Sequence, residues 1–300
     1  MKFGGSTLRA MAPLLPLAAT LIALATSSQQ AQSGEQFSGR LLAISGRASM
    51  IRYVPGALDR ADHVARRLDH IVLDLQKRID GPSPLAAVVL GRREWEASGF
   101  ELPYEIPIKV GNVSVVVALP ALGDDRSVAA WKRWLGTELP AIPGVPMIGT
   151  AEHVSSLLIS DVFFQRAVCE LVVSQTLLVG QEPWITGVMA HLAMISLYDR
   201  YEPSRATQVE TIFHRLRGQL PLLIKLANDK PHGDESFLLR EAHLHDGARR
   251  IFAHSGQKAL AKILKRARRD GGPLSRAALV HLHPVVEEWL QAMPGEVGLR

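Results

Sequence analysis

The fold is decided by residues 160–200, SDVFFQRAVCELVVSQTLLVGQEPWITGVMAHLAMISLYDR. This stretch predicts two apolar helices joined by a Gly-Gln-Glu-Pro turn. Ser160 and Asp161 are expected to cap the first helix at its N-terminus, and Gly180 is expected to end it. Pro183 suits the first turn of the second helix. The first helix is apolar around nearly its whole circumference, which indicates burial on most sides. We therefore expect this helix pair to form the centre of the fold.

Two short motifs stand out within the helix pair. The first, CELVV at residues 169–173, places the carboxylate of Glu170 among residues that favour leaving water. The second, WITGVMA at residues 184–190, lies in the next helix. Burying a carboxylate without a partner is costly. Glu170 therefore predicts either a water-filled cleft or a cation close to it.

In outline, the two motifs resemble the core of the gluzincin-type (peptidase MA-like) metallopeptidases, which have the zincin fold. That family carries H-E-x-x-H on one helix and W-x-x-E-G-x-A on the next. Its two histidines and the later glutamate bind zinc, and the glutamate of the first motif is the general base. Aligned on this pattern, Glu170 occupies the position of the base, and Trp184 and Ala190 match the second motif.

The metal-binding positions of that family do not carry its ligands in this chain. They hold Cys169, Val173 and Gly187, and the family's following glycine is Val188. A catalytic zinc needs three protein ligands, whereas Val173 and Gly187 have no donor atoms in their side chains. The resemblance therefore implies a degenerate, catalytically inactive zincin scaffold that holds no zinc and needs no cofactor. It also implies a former cleft used for binding or scaffolding, with room for a longer side chain at Gly187.

The alternative function is an active hydrolase or peptidase with an unorthodox site built on Glu170. Such a site would draw on Cys169, His191 and His243 as well. The resemblance places Trp184, His191 and His243 along the former cleft. Simpler roles are also open, with Cys169 as a small buried hydrophobe, Glu170 as an ion-paired remnant of the base, and His243 as a helix-packing residue.

The order of the remaining elements predicts an α+β fold. The N-terminal half contains short strands at 41–56, an amphipathic helix at 58–79, strands at 85–90 and 112–119, and helices at 92–100 and 124–135. Residues 140–150 predict a loop, and the chain after residue 200 is helical. This order resembles a zincin-like half, in which a strand such as 112–119 lies at the lip of the cleft, followed by the helical part of peptidase MA-like proteins. We accordingly predict a zincin-like α+β domain at 41–200 and a C-terminal helical subdomain at 201–292.

Composition and the N-terminal segment bear on the cellular location. The 300-residue chain has 47% hydrophobic and 21% charged residues, which is typical of a globular protein with a sizeable core. Residues 1–25 combine a positive start, a short apolar run and small residues at Ala23 and Ala25, which predicts a secretory signal peptide. An uncleaved anchor is the alternative. Residues 26–40 predict a disordered linker. We therefore expect export to a periplasm or the medium, with Cys169 as the single cysteine and no intrachain disulfide.

A basic segment near the C-terminus is a further candidate for contact with a partner. Lysines and arginines recur from Lys258 to Arg269, with apolar residues on the opposite helix face. A solvated helix face explains this pattern, and a weak contact with anionic lipid or a cell-envelope polymer is the functional alternative. No nucleic-acid motif is present, and export argues against nucleic acid. The expected partner is a protein, a peptide or a cell-envelope ligand of unknown identity.

Overall fold

A computed structural model describes residues 41–77, 85–111, 115–136, 139, 150–176, 182–219 and 234–292. The predicted signal peptide, the linker and the loop from residue 140 to 149 lie outside these ranges. So do Gly180 and the C-terminal end of the helix predicted at 58–79.

The described strands form one five-stranded sheet with the order β1-β2-β3-β5-β4. They are β1 (Leu42–Ser45), β2 (Ser49–Tyr53), β3 (Leu85–Leu90), β4 (Ile108–Val110) and β5 (Val116–Pro120). Strands β1 and β2 pair antiparallel, β2, β3 and β5 run parallel, and β4 is antiparallel to β5 at the far edge. The run LAAVVL of β3 is apolar without alternation, as expected for a central parallel strand that is covered on both faces.

Five helices belong to the part of the chain up to residue 201. They are α1 (Leu58–Gln76), α2 (Arg92–Ala97), α3 (Asp125–Leu135), α4 (Ala151–Thr176) and α5 (Pro183–Tyr201). The apolar stripe predicted for the helix at 58–79 also includes Ile79, which lies outside the described ranges. Its other members are buried, and they are Ala61, Val64, Leu68, Ile71 and Leu75. Helix α3 begins where predicted because the Asp124 carboxylate accepts a hydrogen bond of 2.8 Å from the backbone N–H of Ser127.

The second apolar strand differs from its prediction at 112–119. Strand β5 begins at Val116, and residues 112–114 lie outside the described ranges. Strand β4 was not predicted, because three residues with a central lysine carry too little periodic pattern. Among the described strands, β4 therefore forms one edge of the sheet and β1 forms the other. The strand that was expected at the lip of the cleft lies one position further into the sheet.

The central helix pair is present, but its first helix begins earlier than predicted, at Ala151. Ser160 and Asp161 are thus interior residues of α4, and the prediction that they cap it is wrong. Ser160 Oγ donates a hydrogen bond of 2.7 Å to the Glu105 carbonyl, and the buried Asp161 carboxylate accepts one of 2.5 Å from Arg60. These tertiary partners replace the backbone N–H groups that a cap would bind. Pro183 opens α5, as predicted.

The described chain after residue 201 is helical. Its elements are α6 (Pro203–Gly218), α7 (Asp234–Ser255), a 3-10 turn (Gly256–Lys258), α8 (Ala259–Asp270), α9 (Arg276–Leu282) and α10 (Val285–Ala292). Helix α7 packs against α5 and α6, and one hydrophobic core extends from Ile51 on β2 to Trp289 on α10. The α+β class is therefore confirmed, with a small sheet in the N-terminal half and helices after it. Within the described ranges, no helix is both long enough and apolar enough to cross a membrane.

Candidate functional site

The first motif lies in the interior of α4, where the sequence placed the family's metal ligands. Cys169 and Val173 have no exposed surface. Burial raises the pKa of the Cys169 thiol to about 12, so the thiol is neutral at physiological pH. Because the thiolate is the form that binds metal, Cys169 is a buried apolar side chain in this environment.

Gly187 on α5, which the resemblance aligns with the family's third metal ligand, is covered by α7. A Cβ atom at Gly187 would lie 2.6 Å from Leu244 Cδ1, which is closer than real Cβ contacts. Leu244 itself is buried. The expectation that the former cleft leaves room at this position is therefore wrong, because the side chain of Leu244 fills the space beside the glycine.

Glu170 is held by two cations. Lys109 on β4 donates a hydrogen bond to its Oε1 atom, and Arg166, one turn earlier on α4, donates to its Oε2 atom. Burial opposes ionisation of Glu170, yet Arg166 and Lys109 outweigh it and keep the pKa of this carboxyl below its ordinary value. A general base at neutral pH instead needs a raised pKa and an oxygen that is free to accept a proton. Glu170 has the opposite properties.

Arg166 also binds a second carboxylate, which the sequence analysis did not single out. Its Nε atom lies 2.5 Å from Oε2 of Glu241, a residue of α7 with no exposed surface. Burial opposes ionisation of Glu241 too, but Arg166 and His191 lower its pKa to about 2. The sequence cue was the single carboxylate of the largely apolar segment LLREAHL, since a buried carboxylate requires a partner.

Two buried histidines continue from Glu241. His191 Nε2 lies 2.9 Å from Glu241 Oε2, and His191 Nδ1 lies 3.4 Å from His245 Nδ1. His245 Nε2 lies 3.2 Å from Glu210 Oε1, and its ring stacks on Phe213 with centroids 4.0 Å apart. Burial lowers the pKa of His191 to about 4 in spite of Glu241, and it also lowers the pKa of His245. Both rings are therefore neutral near pH 7.

These contacts form one continuous series of ion pairs joined by the hydrogen bonds of two neutral histidines, which we call the ion-pair chain. It consists of Lys109, Glu170, Arg166, Glu241, His191, His245, Glu210 and Arg249. Its ends reach solvent, since the side chains of Lys109 and Arg249 are 37% and 41% exposed. Its middle is buried. The ion-pair chain connects the sheet edge with α4, α5, α6 and α7. It includes Glu170, which the resemblance aligns with the general base.

The other predicted cleft residues lie in packed surroundings. Trp184 is buried and donates a hydrogen bond of 2.6 Å to Glu182 just before α5. His243 is buried on α7, and its Nε2 atom has no hydrogen-bond partner among the described residues. In the described part of the chain, no three His, Cys, Asp or Glu side chains come together to hold a metal ion. The alternative site that would combine Cys169, Glu170, His191 and His243 around a metal is thus not assembled.

A small pocket lies elsewhere, between α1, α4, α5 and α6. It has a volume of about 10 Å³ and is lined by residues that include Arg67, Tyr198, Arg205 and Gln208. A volume of roughly 10–15 Å³ on this measure holds one water molecule. The pocket therefore suits an ordered water rather than a substrate.

Comparisons with models of known protein families, with curated proteins and with solved structures found no match to this chain.

Proposed function

We propose that this chain is a non-catalytic, peptidase MA-like protein that uses the region of the former active site for binding or scaffolding after export. One observation carries the proposal, namely that both oxygens of Glu170 are bound by cations, Lys109 and Arg166. In a working enzyme, the residue at this position must accept a proton from a water molecule. Ion-paired on both oxygens, Glu170 has no free oxygen for that step.

The surroundings of Glu170 support the same proposal. The position of one former ligand is covered by Leu244, and two others are buried apolar side chains. A catalytic zinc requires three ligands and an open coordination position. Around Glu170, the described residues provide neither three ligands nor an open coordination position. Their arrangement therefore does not support zinc-dependent hydrolysis.

The binding surface in this proposal is the edge of the sheet beside Glu170. Strand β4 (Ile108–Val110) has no neighbour among the described strands on its outer side. Lys109 extends from that strand to Glu170 and remains 37% exposed. An open strand edge can pair with an extended segment of another protein through main-chain hydrogen bonds. We therefore favour a protein or peptide as the partner at this edge.

The alternative, a hydrolase built on Glu170, requires Glu170 to release at least one of its two cations. A peptide-cleavage assay separates the two functions, with wild type and Glu170→Gln incubated with unfolded casein and the products identified by mass spectrometry. We expect neither protein to produce fragments. Fragments made by the wild type and reduced about 100-fold or more in Glu170→Gln, at an unchanged melting temperature, would show a true general base and overturn the proposal.

A further inference from the structure

Helix α8 (Ala259–Asp270) buries one face and exposes the other. Its buried residues are Ala259, Leu260, Ile263, Leu264 and Ala267, which belong to the main hydrophobic core. The apolar side of this amphipathic helix is therefore occupied by the protein itself. Only its outer, polar face is available to a partner.

Four cationic side chains follow one line along that outer face, the first of them at the last residue of the 3-10 turn that precedes α8. Lys258, Lys262, Lys265 and Arg269 are exposed and stand at positions i, i+4, i+7 and i+11. Residues three and four apart are neighbours on a helix surface, so these side chains form one row. At 1.5 Å per residue the row is about 16 Å long. We call these four residues the basic stripe.

Most of the basic stripe is not neutralised by the protein. Asp270 pairs with Arg269 and with Arg266, which lies beside the stripe. Lys258, Lys262 and Lys265 make no ion pair with any residue in the described ranges. Three lysines without an ion-pair partner on one exposed row create a local positive potential that attracts anions.

We propose that the basic stripe binds the anionic surface of a lipid bilayer. Because the apolar face of α8 is buried in the core, the helix cannot insert, and its contact is limited to the headgroup layer. Lysine ammonium groups act as point charges without the fixed fork of arginine, which suits headgroups that are spread over a plane. The proposal does not depend on the ion-pair chain or on the absence of catalysis.

The expected strength follows from the number of lysines. One lysine near an anionic membrane surface raises affinity by roughly fivefold. Removing three charges should then weaken binding on the order of 100-fold. The contact should also weaken with salt, because the screening length falls from about 10 Å at 0.1 M to about 3 Å at 1 M.

The test is co-sedimentation of the purified full chain with vesicles of phosphatidylglycerol and phosphatidylcholine in equal parts, with pure phosphatidylcholine vesicles for comparison. The stripe variant carries Lys258→Gln, Lys262→Gln and Lys265→Gln, which keep good helix formers at exposed positions. The control variant has the same net charge through changes at other exposed cations that form no ion pair with the described residues. Its changes are Arg47→Gln, Lys77→Gln and Arg93→Gln. Matched melting temperatures establish that all three proteins are folded.

We expect the wild type and the control variant to bind the anionic vesicles in a salt-sensitive way, and the stripe variant to bind roughly 100-fold more weakly. Three results overturn the proposal. The first is equal binding by the stripe and control variants, and the second is equal binding to neutral and anionic vesicles. The third is binding to soluble polyphosphate with no binding to anionic vesicles, which would assign the stripe to a polymer.

Discussion

Arg166 Nε on α4 lies 2.5 Å from Glu241 Oε2 on α7, and both side chains are buried. The same guanidinium binds Glu170, so one cation holds two carboxylates from different helices. Removing one member of a buried ion pair leaves an uncompensated charge, which is costly. The Arg166–Glu241 contact therefore connects the C-terminal helix α7 to the central helix pair.

Glu241→Gln should therefore destabilise the protein strongly. The change removes the charge that faces Arg166 and His191 while preserving the shape of the side chain. We expect the free energy of unfolding, measured by urea denaturation, to fall by about 3–5 kcal/mol.

The matched control is Glu287→Gln on α10. Glu287 pairs with Arg276 at 3.1 Å, and the two side chains are 40% and 53% exposed. An exposed pair of this kind contributes about 0–1 kcal/mol. Equal effects of the two changes would mean that the Arg166–Glu241 contact does not hold the helices together.

Stability should decrease as the pH falls from neutrality. The pKa of His191 in the folded state is about 4, below its ordinary 6.5, because burial disfavours the charged ring. A histidine with a depressed folded pKa contributes its full stability above pH 6.5, and it loses that contribution as the pH falls toward 4. A shift of this size corresponds to about 3 kcal/mol. The pKa of Glu241 is also depressed, to about 2, so the stability of the folded state decreases further as the pH falls below 4.5.

Replacing His191 with Gln should flatten the stability profile between pH 6.5 and 4, as measured by urea denaturation at a series of pH values. His214→Gln is the control, because His214 is exposed on α6. We expect the control to keep the slope of the wild type. A wild-type stability that rises on acidification in this range would contradict the buried, neutral state of His191.

Gly187→Glu should be poorly tolerated, because the new side chain would overlap Leu244 and place a carboxylate in an apolar contact. We expect a loss of about 2 kcal/mol or more in the free energy of unfolding. In a Leu244→Ala background, the same change should lower the free energy of unfolding by a smaller amount. We expect a coupling free energy between the two positions of about 1 kcal/mol or more. Strictly additive effects would show that Leu244 does not occupy the space beside Gly187.

Local patterns in the sequence predicted much of the fold. The apolar run of β3, the stripe of α1 and the first-turn proline of α5 each depend on neighbours in the chain, and each is present. The cap prediction at Ser160 and Asp161 was wrong because both side chains bind distant groups instead. Cap preferences apply only where no tertiary partner competes for the side chain.

The partners in the site were harder to predict than the site itself. The sequence showed that Glu170 needs a cation or water, but it could not identify Lys109, which lies on an edge strand too short to show a pattern. It also gave no sign that Leu244 covers Gly187, because that contact depends on how α7 packs across α5. Long-range packing of this kind leaves no periodicity in a single sequence.

Export is expected from the first 25 residues, which have a positive start, an apolar run and small residues at Ala23 and Ala25. Chain recovered from the exported fraction of the native host should begin close to residue 26. Mass spectrometry of the intact protein gives the new N-terminus. A chain that begins at Met1 in that fraction, or one found wholly in the cytosol, would contradict this expectation.

The metal content of the purified chain distinguishes the proposed non-catalytic protein from a zinc enzyme. The resemblance to metallopeptidases aligns Cys169, Val173 and Gly187 with the zinc-binding positions. Glu170 is bound by Lys109 and Arg166. We expect well under one equivalent of zinc per chain by elemental analysis. A metal that binds only the folded state raises its stability, so we also expect EDTA to leave the melting temperature unchanged. One equivalent of zinc per chain, with a melting temperature that falls when EDTA is added, would contradict the account.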